Sequence, residues 1–332
     1  MTASVPRVAL LGATGAVGAE ILQVLEERQF PLRELRLYAS PDSEGEEIDF
    51  RGESRKLRRV RTEDVAACEL VIGAARTGLV ELLPALKRSQ SAVIDVSGTL
   101  ELDYDVPLFL AGVTPALAAK ARPTFVAVPR GVTAGLAIAL TPFARAGVLR
   151  RATAVTLESA SGAGIAGVGE LTDHTVQVLN RMSGERSDSE VFGQSLAFDG
   201  LPQIGSIEPD GQTSEEHALV RTVTRLVPGK ELALEVTRVR IPTLGGSLAA
   251  VHLELAKDTT LEEARALLAS QSHVSILPAG ELPTPRAALG HDDVAIGRLR
   301  AAGPRVAFVL ALNDLRLGAA LGVVSAAESL FA

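Results

Sequence analysis

The sequence has little cysteine, no long apolar run and no excess of positive charge. Its single cysteine, Cys68, excludes an internal disulfide framework and a multi-cysteine metal site. No apolar stretch reaches the roughly 18 residues that a membrane-spanning helix needs. The net charge of -7 gives no electrostatic reason to expect nucleic acid or an anionic membrane as a partner.

What is present indicates a globular chain. With 332 residues, of which 47% are hydrophobic, the chain has enough material for two domains and a sizeable core. The first residues, MTASVPRVALLGATG, run directly into a glycine turn without a cleavage-type region. They therefore predict a first strand and not a signal peptide, and we expect a cytoplasmic protein.

The first half alternates short apolar runs with helical patterns, which is typical of a parallel, doubly wound sheet with crossover helices. The predicted strands are Val8 to Leu11, Leu35 to Ala39, Leu70 to Ala75, Ala92 to Val96 and Thr124 to Val128. One helix is predicted after the first glycine turn, and the others cover Leu79 to Arg88 and Pro115 to Ala121.

Beyond about residue 150 the strands become longer and alternate, which favours a mainly antiparallel sheet with one covered face. The predicted strands are Ala152 to Glu158, Glu231 to Ile241, Leu248 to Ala256, Val294 to Arg300 and Arg305 to Leu312. Helices are predicted at Gly167 to Met182 and Thr260 to Ala269, with a polar loop at Ser183 to Glu190. The Ala-rich segment Gly318 to Phe331 predicts a last helix that packs back on the first domain.

A glycine loop lies between the first strand and the first helix. Gly12, Gly15 and Gly18 have the spacing of dinucleotide-binding loops, in which close backbone approach and free helix-start amides favour a pyrophosphate. The alternative is a structural strand-to-helix turn that binds nothing. The predicted nucleotide contacts are Gly12, Thr14, Gly15, Ala16, Val17, Gly18 and Ser40.

Acidic residues follow the second strand. Asp42, Glu44 and Glu46 lie where an arginine or lysine would hold a 2′-phosphate, so the sequence favours NAD over NADP. The alternative is an acidic loop that only faces water, with neither nucleotide bound.

Several segments occur together in one order along nearly the whole chain. They are GATGAVG at 12–18, FPLRELRLYAS at 30–40, DVPL at 105–108, SGAG at 161–164, PQIG at 202–205, EE at 215–216, RIP at 240–242, PTPR at 283–286 and NDLRLGAAL at 313–321. In this the chain resembles the aspartate-semialdehyde dehydrogenases, a family of amino-acid biosynthesis. The resemblance implies a Rossmann-type domain at 1–130 and 313–332, an α+β substrate and dimerisation domain at 131–312, and a homodimer.

The resemblance also implies a reaction, the NADPH-dependent reductive dephosphorylation of aspartyl phosphate through a cysteine thioester. The family's cysteine follows an Asn-Pro-Asn segment, and its position here is Gly131. The family's acid/base histidine corresponds to Gly246, its positioning glutamine to Glu158 and its phosphate-binding arginine to Glu101, which would repel a phosphate. The likenesses that remain are Arg240, matched to the carboxylate-binding arginine, and Glu216, matched to the ammonium partner.

No other residue is predicted to replace the nucleophile. Cys68 precedes the strand from Leu70 and so lies at the amino end of the sheet, opposite the ligand edge, as a small buried or half-buried thiol. Ser159 and Ser161 carry hydroxyls but have no identifiable base. The histidines are predicted at the surface: His174, His217, His252, His273 and His291, with His217 the least settled because it follows two glutamates. No metal site is predicted.

Two functions from different classes stay open. The favoured one is a member that keeps the fold without the thioester chemistry, a pseudoenzyme that binds a nucleotide or a small carboxylate. The other is an oxidoreductase that moves a hydride between a nicotinamide and a small carbonyl compound without a covalent intermediate. It would rely on the glycine loop and Arg240.

Overall fold

The computed structural model describes residues 5–117, 124–180, 189–229 and 232–331. In it the chain divides into two units. The first comprises Met1–Arg130 and Gly318–Ala332, and the second comprises Gly131–Leu317. No helix among the described residues is long and apolar enough to cross a membrane.

The first unit is built on a seven-stranded sheet in the order β3-β4-β2-β1-β5-β6-β7. Its strands are β1 (Arg7–Leu11), β2 (Glu34–Ala39), β3 (Glu47–Phe50), β4 (Glu53–Arg59), β5 (Leu70–Gly73), β6 (Ala92–Asp95) and β7 (Thr124–Ala127). All neighbours are parallel except β3 and β4. The strands β5 and β6 are buried at every position, as expected where helices cover both faces. The prediction of a doubly wound parallel sheet is confirmed.

The helices of this part are α1 (Ala16–Glu27), α2 (Thr62–Ala66) and α3 (Arg76–Leu86). The predicted helix at Pro115 to Ala121 is wrong for residues 115–117, which are in neither a helix nor a strand, and its remainder lies outside the described residues. The main chain of Leu117 is bonded to a side chain instead: its N–H donates to Ser329 Oγ at 2.7 Å and its carbonyl accepts from the same hydroxyl. Those bonds replace the helical ones.

The second unit contains a six-stranded sheet in the order β11-β12-β13-β10-β8-β9. Its strands are β8 (Leu149–Glu158), β9 (Ala233–Arg240), β10 (Ser247–Leu255), β11 (Val274–Ile276), β12 (Val294–Ala302) and β13 (Arg305–Leu312). The pairs β12–β13, β13–β10 and β10–β8 are antiparallel, whereas β11–β12 and β8–β9 are parallel. The mainly antiparallel sheet is therefore confirmed.

One face of this sheet is covered. Along β10 the side chains of Ala249, Val251, Leu253 and Leu255 are buried while His252 is exposed, as the alternation predicts. The helices of the unit are α4 (Gly131–Arg145), α5 (Gly164–Leu179), α6 (Ser214–Leu226), α7 (Leu261–Ala269) and α8 (Pro285–Ala288). Residues 183–188 of the polar loop predicted at Ser183 to Glu190 lie outside the described residues, whereas Ser189 and Glu190 are in neither a helix nor a strand, as predicted. The end of the helix predicted to Met182 and the start of the strand predicted from Glu231 also lie outside the described residues.

The helix α4 packs against β8, β10 and β13 and is buried at every position from Val132 to Phe143. Because a helix that is apolar on all faces shows no 3.6-residue periodicity, the sequence pattern gave no prediction for it.

The last segment begins with a π-helical stretch, Arg316–Leu321, and continues as α9 (Gly322–Phe331). This helix packs against α1 and β6 of the first unit, as predicted from its composition. A Cβ on Gly322 would lie 2.6 Å from Val128 Cγ1, so glycine permits the close approach.

Candidate functional site

The turn between β1 and α1 depends on two of its three glycines. Gly12 has a φ of +85°, and a Cβ there would lie 2.8 Å from the Cβ of Ala75. A Cβ on Gly18 would lie 2.1 Å from the carbonyl oxygen of Gly12. The backbone therefore requires these glycines whether or not a nucleotide binds. Gly15 has a φ of -73° and imposes no such demand.

The first two amides of α1 have no acceptor within the described ranges of the chain. The N–H groups of Gly12 and Ala13 donate to the carbonyl oxygen of Tyr38 at 2.9 and 3.0 Å. Those of Ala16 and Val17 have no acceptor among the residues that the structure describes. Free amides and the helix dipole together favour an anion such as a pyrophosphate.

The predicted nucleotide contacts meet at one edge of the sheet. Thr14 belongs to the turn after β1, and Ser40 is exposed directly after β2, its parallel neighbour. Asp42, Glu44 and Glu46 are exposed beyond it. The sequence pattern did not reveal that β4 pairs with β2 here.

That pairing places a base near the acidic loop. Arg59, the last residue of β4, is the register partner of Ala39 at the end of β2, and it is exposed. This edge therefore carries an arginine as well as three carboxylates.

Cys68 is 2% exposed and lies just before β5, at the amino end of the parallel strands. Burial raises the pKa of its thiol, and the nearby Arg36 and Arg7 offset this only in part. Its Sγ contacts the carbonyl oxygen of Asp64 at 3.5 Å. The prediction of a small buried thiol is confirmed.

Two glycines stand where the resemblance places a cysteine and a histidine. Gly131 begins α4 with a φ of +51°, and the nearest atom to a Cβ built on it is Asp314 Cβ, at 3.9 Å. Gly246 precedes β10 with a φ of +73°, and a Cβ on it would lie 2.3 Å from the carbonyl oxygen of Pro285. Both backbones are in a region that residues with side chains rarely adopt.

Glu158, at the end of β8, forms a buried ion pair with Arg238 of β9. The guanidinium donates from Nε to Oε1 and from Nη2 to Oε2, both at 2.8 Å. Thr156 Oγ1 donates to Oε1 as well, also at 2.8 Å. Although burial alone raises the pKa of a carboxyl, the charge and hydrogen bonds of Arg238 outweigh it and hold the pKa of Glu158 below its usual value.

Arg240, two residues further along β9, is also buried but has spare donors. Its Nη1 donates to the carbonyl oxygen of Ser159 at 2.6 Å. The guanidinium lies over Gly162, where a Cβ would be 2.5 Å from Nη1. Its Nε and Nη2 donate to no other group in the described part of the chain. A buried arginine with a free edge is suited to a carboxylate.

Asp314 follows β13 and is 8% exposed. Its Oδ2 accepts hydrogen bonds from Ser159 Oγ at 3.0 Å and Ser247 Oγ at 2.9 Å, and Ser161 Oγ lies 2.8 Å from Ser159 Oγ. Its Oδ1 is buried and has no hydrogen-bond partner. Burial raises the pKa of Asp314 to about 6, against the hydrogen bonds of the two serines.

Glu216 is engaged in structure. Its Oε2 accepts from the N–H of Thr213, with which it forms the capping box of α6, and its Oε1 accepts from the N–H of Arg238, both at 2.8 Å. Within the first unit, Glu101 is buried with Arg130 Nε 3.7 Å from its Oε2. An arginine therefore offsets the charge that Glu101 brings.

The histidines differ in exposure. His174 is 5% exposed on the inner face of α5, so its predicted surface position is wrong; it shares that face with Leu171. His252 and His291 are exposed as predicted. His217 is half-buried with its Nε2 3.0 Å from Asp210 Oδ2, and His273 is half-buried as well.

Comparison with known proteins gives the same assignment along the chain. Residues 7–121 match the family model of the semialdehyde dehydrogenase NAD binding domain, and residues 140–317 match that of the semialdehyde dehydrogenase dimerisation domain. The aspartate-semialdehyde dehydrogenase of Prochlorococcus marinus is 34% identical over 329 residues, with 97% of this chain and 95% of the relative covered. This chain belongs to the aspartate-semialdehyde dehydrogenase family.

Solved structures of the family agree. Aspartate semialdehyde dehydrogenase II from Vibrio cholerae, complexed with ASA, has a TM-score of 0.91 and 32% identity, with 98% of each chain covered. A probable aspartate-semialdehyde dehydrogenase from Pseudomonas aeruginosa has a TM-score of 0.90 and 30% identity, again with 98% of each chain covered. The NAD binding domain supports a nicotinamide cofactor, and the dimerisation domain supports a homodimer.

Within this family member, sequence reasoning missed Arg238 and Asp314. A signal for Arg238 was present, because Leu234, Val236, Arg238 and Arg240 alternate on one face of β9 and all four are buried. No comparable signal marked Asp314, since its importance comes from Ser159 and Ser247, which are distant in sequence.

Proposed function

We propose that this family member binds a nicotinamide nucleotide and a small carboxylate and does not form the family's cysteine thioester. The observation that carries the proposal is the backbone at Gly131 and Gly246, where φ values of +51° and +73° suit glycine. A side chain at Gly246 would also meet the carbonyl oxygen of Pro285.

The surroundings support the same proposal. Glu158 replaces a neutral positioning amide by a carboxylate that is held by two hydrogen bonds from Arg238. A residue fixed in this way cannot turn to position a substrate without breaking a buried ion pair, which costs about 3–5 kcal/mol. Cys68 offers no substitute nucleophile, because its thiol is buried and its pKa is raised.

Arg240 supports binding of a small carboxylate. Its Nε and Nη2 have no acceptor among the described residues, and Gly162 places no side chain against the guanidinium. Glu216 is not required for this proposal, since both of its carboxylate oxygens already accept main-chain N–H groups.

Nucleotide binding rests on the free amides of Ala16 and Val17. The choice between NAD and NADP is a further proposal. Asp42, Glu44 and Glu46 favour NAD, whereas the exposed Arg59 beside Ala39 is a base within the same edge of the sheet. Because three carboxylates follow β2 directly, we propose NAD. Isothermal titration with NAD, NADH, NADP and NADPH tests this, and tighter binding of the two phosphorylated forms would contradict it.

A second candidate is an oxidoreductase without a covalent intermediate. It is favoured by Asp314, an ionisable group whose buried Oδ1 has no partner, linked to the Arg240 neighbourhood through Ser159. Such a group can hold or release a proton while a carbonyl compound is bound.

An assay of aspartate semialdehyde, phosphate and oxidised nucleotide separates the proposals. We expect no reduced nucleotide from the wild-type chain or from Gly131→Cys, because the second lacks a histidine to activate its thiol. Turnover by the wild type that requires phosphate would contradict the first proposal. Turnover of other small aldehydes without phosphate would favour the second.

A further inference from the structure

Near Gly131 the fold leaves one buried polar atom without a hydrogen-bond partner. Asp314 is 8% exposed, and its Oδ1 has no hydrogen-bond partner whereas its Oδ2 has two. Leaving a buried carboxylate oxygen unpaired is costly, so such an atom calls for an explanation. Among the described residues that are not neighbours of Gly131 in the chain or in its helix, the one nearest to a Cβ built on Gly131 is Asp314, whose own Cβ lies 3.9 Å away.

Asp314 and Arg240 converge on one residue. The carboxylate of Asp314 accepts from the hydroxyl of Ser159, and Arg240 Nη1 donates to the carbonyl oxygen of the same serine. The unused Oδ1 of one side chain and the free donors of the other therefore belong to side chains that meet at Ser159. Asp314 Oδ1 can accept a hydrogen bond from an N–H or O–H group, and the guanidinium of Arg240 can bind a carboxylate.

We infer that Asp314 Oδ1 is a binding subsite for the amino or hydroxyl group of a small carboxylate that Arg240 holds by its carboxylate. This inference rests on the proposed carboxylate binding at Arg240. It adds a second contact, between Asp314 and the amino or hydroxyl group of the same ligand. Ser159 and Ser247 position Asp314 for this contact by fixing its Oδ2.

L-Aspartate, L-malate and succinate form a matched set of probes, since they differ only in carrying an ammonium, a hydroxyl or a hydrogen on one carbon. Titration of the full chain should show aspartate and malate binding at least about tenfold more tightly than succinate, the gain of one charge-assisted hydrogen bond. In Asp314→Asn the affinities for aspartate and malate should fall to that for succinate, and the affinity for succinate should not change. Asp258→Asn, an exposed carboxyl of the same unit, is the control.

The outcomes separate the subsite from the carboxylate site. If the wild type binds all three probes equally and Arg240→Gln binds none of them, the subsite at Asp314 is contradicted while the proposed function stands. Tight binding of aspartate that survives Asp314→Asn would also overturn it. If none of the three probes binds the wild type, the subsite and the proposed carboxylate binding both fail.

A second readout needs no variant. The groups that face Asp314 are Glu158 from β8, Arg240 from β9 and the hydroxyls of Ser159 and Ser247, and Gly131 at the start of α4 brings no titratable group. The preference for aspartate over succinate should therefore decline as the pH falls from 8 to 5 and Asp314 takes up a proton. A preference that stays constant over this range would overturn the inference.

Discussion

Replacing Asp314 by asparagine should raise the free energy of unfolding, relative to that of the wild type, more at high pH than at low pH. Burial raises the pKa of this carboxyl from 3.8 to about 6 in the folded state, and the side chain accepts two hydroxyl hydrogen bonds. A raised pKa means that the protonated form favours folding. This contribution is complete below the pKa of the unfolded chain and is lost as the pH rises through about 6.

The magnitude follows from the two pKa values. Each pKa unit corresponds to about 1.4 kcal/mol, so the ionised carboxylate destabilises the folded state by about 3 kcal/mol at pH 8. Roughly half of this develops between pH 5 and pH 8, because the unfolded carboxyl is already ionised at pH 5. Asparagine keeps the shape and cannot ionise, so any cost of its amide is the same at both values.

Urea unfolding at pH 5 and pH 8 measures the effect, followed by circular dichroism because the chain has no tryptophan. The free energy of unfolding of Asp314→Asn minus that of the wild type should rise by on the order of 1–2 kcal/mol from pH 5 to pH 8. The exposed Asp258, replaced in the same way, gives the effect of removing a surface carboxyl. A difference that is constant or falls with pH would refute the assigned environment of Asp314.

Three further predictions concern the glycine loop, the thiol of Cys68 and the backbone at Gly246. Gly15→Asp should weaken dinucleotide binding by about tenfold or more while the helix stays intact, because the φ of -73° accepts a side chain and the charge repels a pyrophosphate. Calorimetry with Gly15→Asn as the uncharged control checks this, and equal affinities would contradict it. The thiol of Cys68 should react with a chromogenic disulfide only after denaturation, and rapid labelling of the native chain would show that it is accessible. Gly246→Ala should lower the free energy of unfolding by more than about 2 kcal/mol, since it combines a positive φ with a backbone clash. Gly245→Ala, where a Cβ would have its nearest contact at 3.4 Å, should cost less; the reverse order would contradict the local geometry.

The parts of the fold that sequence predicts are those with a single dominant period. The parallel strands β1, β5 and β6 are short apolar runs bounded by turn residues, and β10 alternates cleanly. The helix α4 was not predicted because apolar residues occupy all of its faces. The hairpin of β3 and β4 was not predicted because its residues are mostly charged and exposed.

The candidate site was predictable only where residues act alone or in local motifs. The glycine loop and the glycines at 131 and 246 could be recognised from their neighbours in sequence. The ion pair of Glu158 with Arg238 joins residues 80 positions apart, and the contact of Ser159 with Asp314 spans 155. Such pairings depend on strand register, which a single sequence does not specify. The burial of His174 likewise depends on which face of α5 is covered.

The decisive measurement for the loss of thioester chemistry is the phosphate-dependent oxidation of aspartate semialdehyde by the wild-type chain. The assay follows absorbance of reduced nucleotide, with NAD and NADP in turn, and omits phosphate as the blank. Because Gly131 and Gly246 stand where the resemblance places the nucleophile and the acid/base, and both have a positive φ, we expect no rate above that blank. A saturable, phosphate-dependent rate with either nucleotide would contradict it.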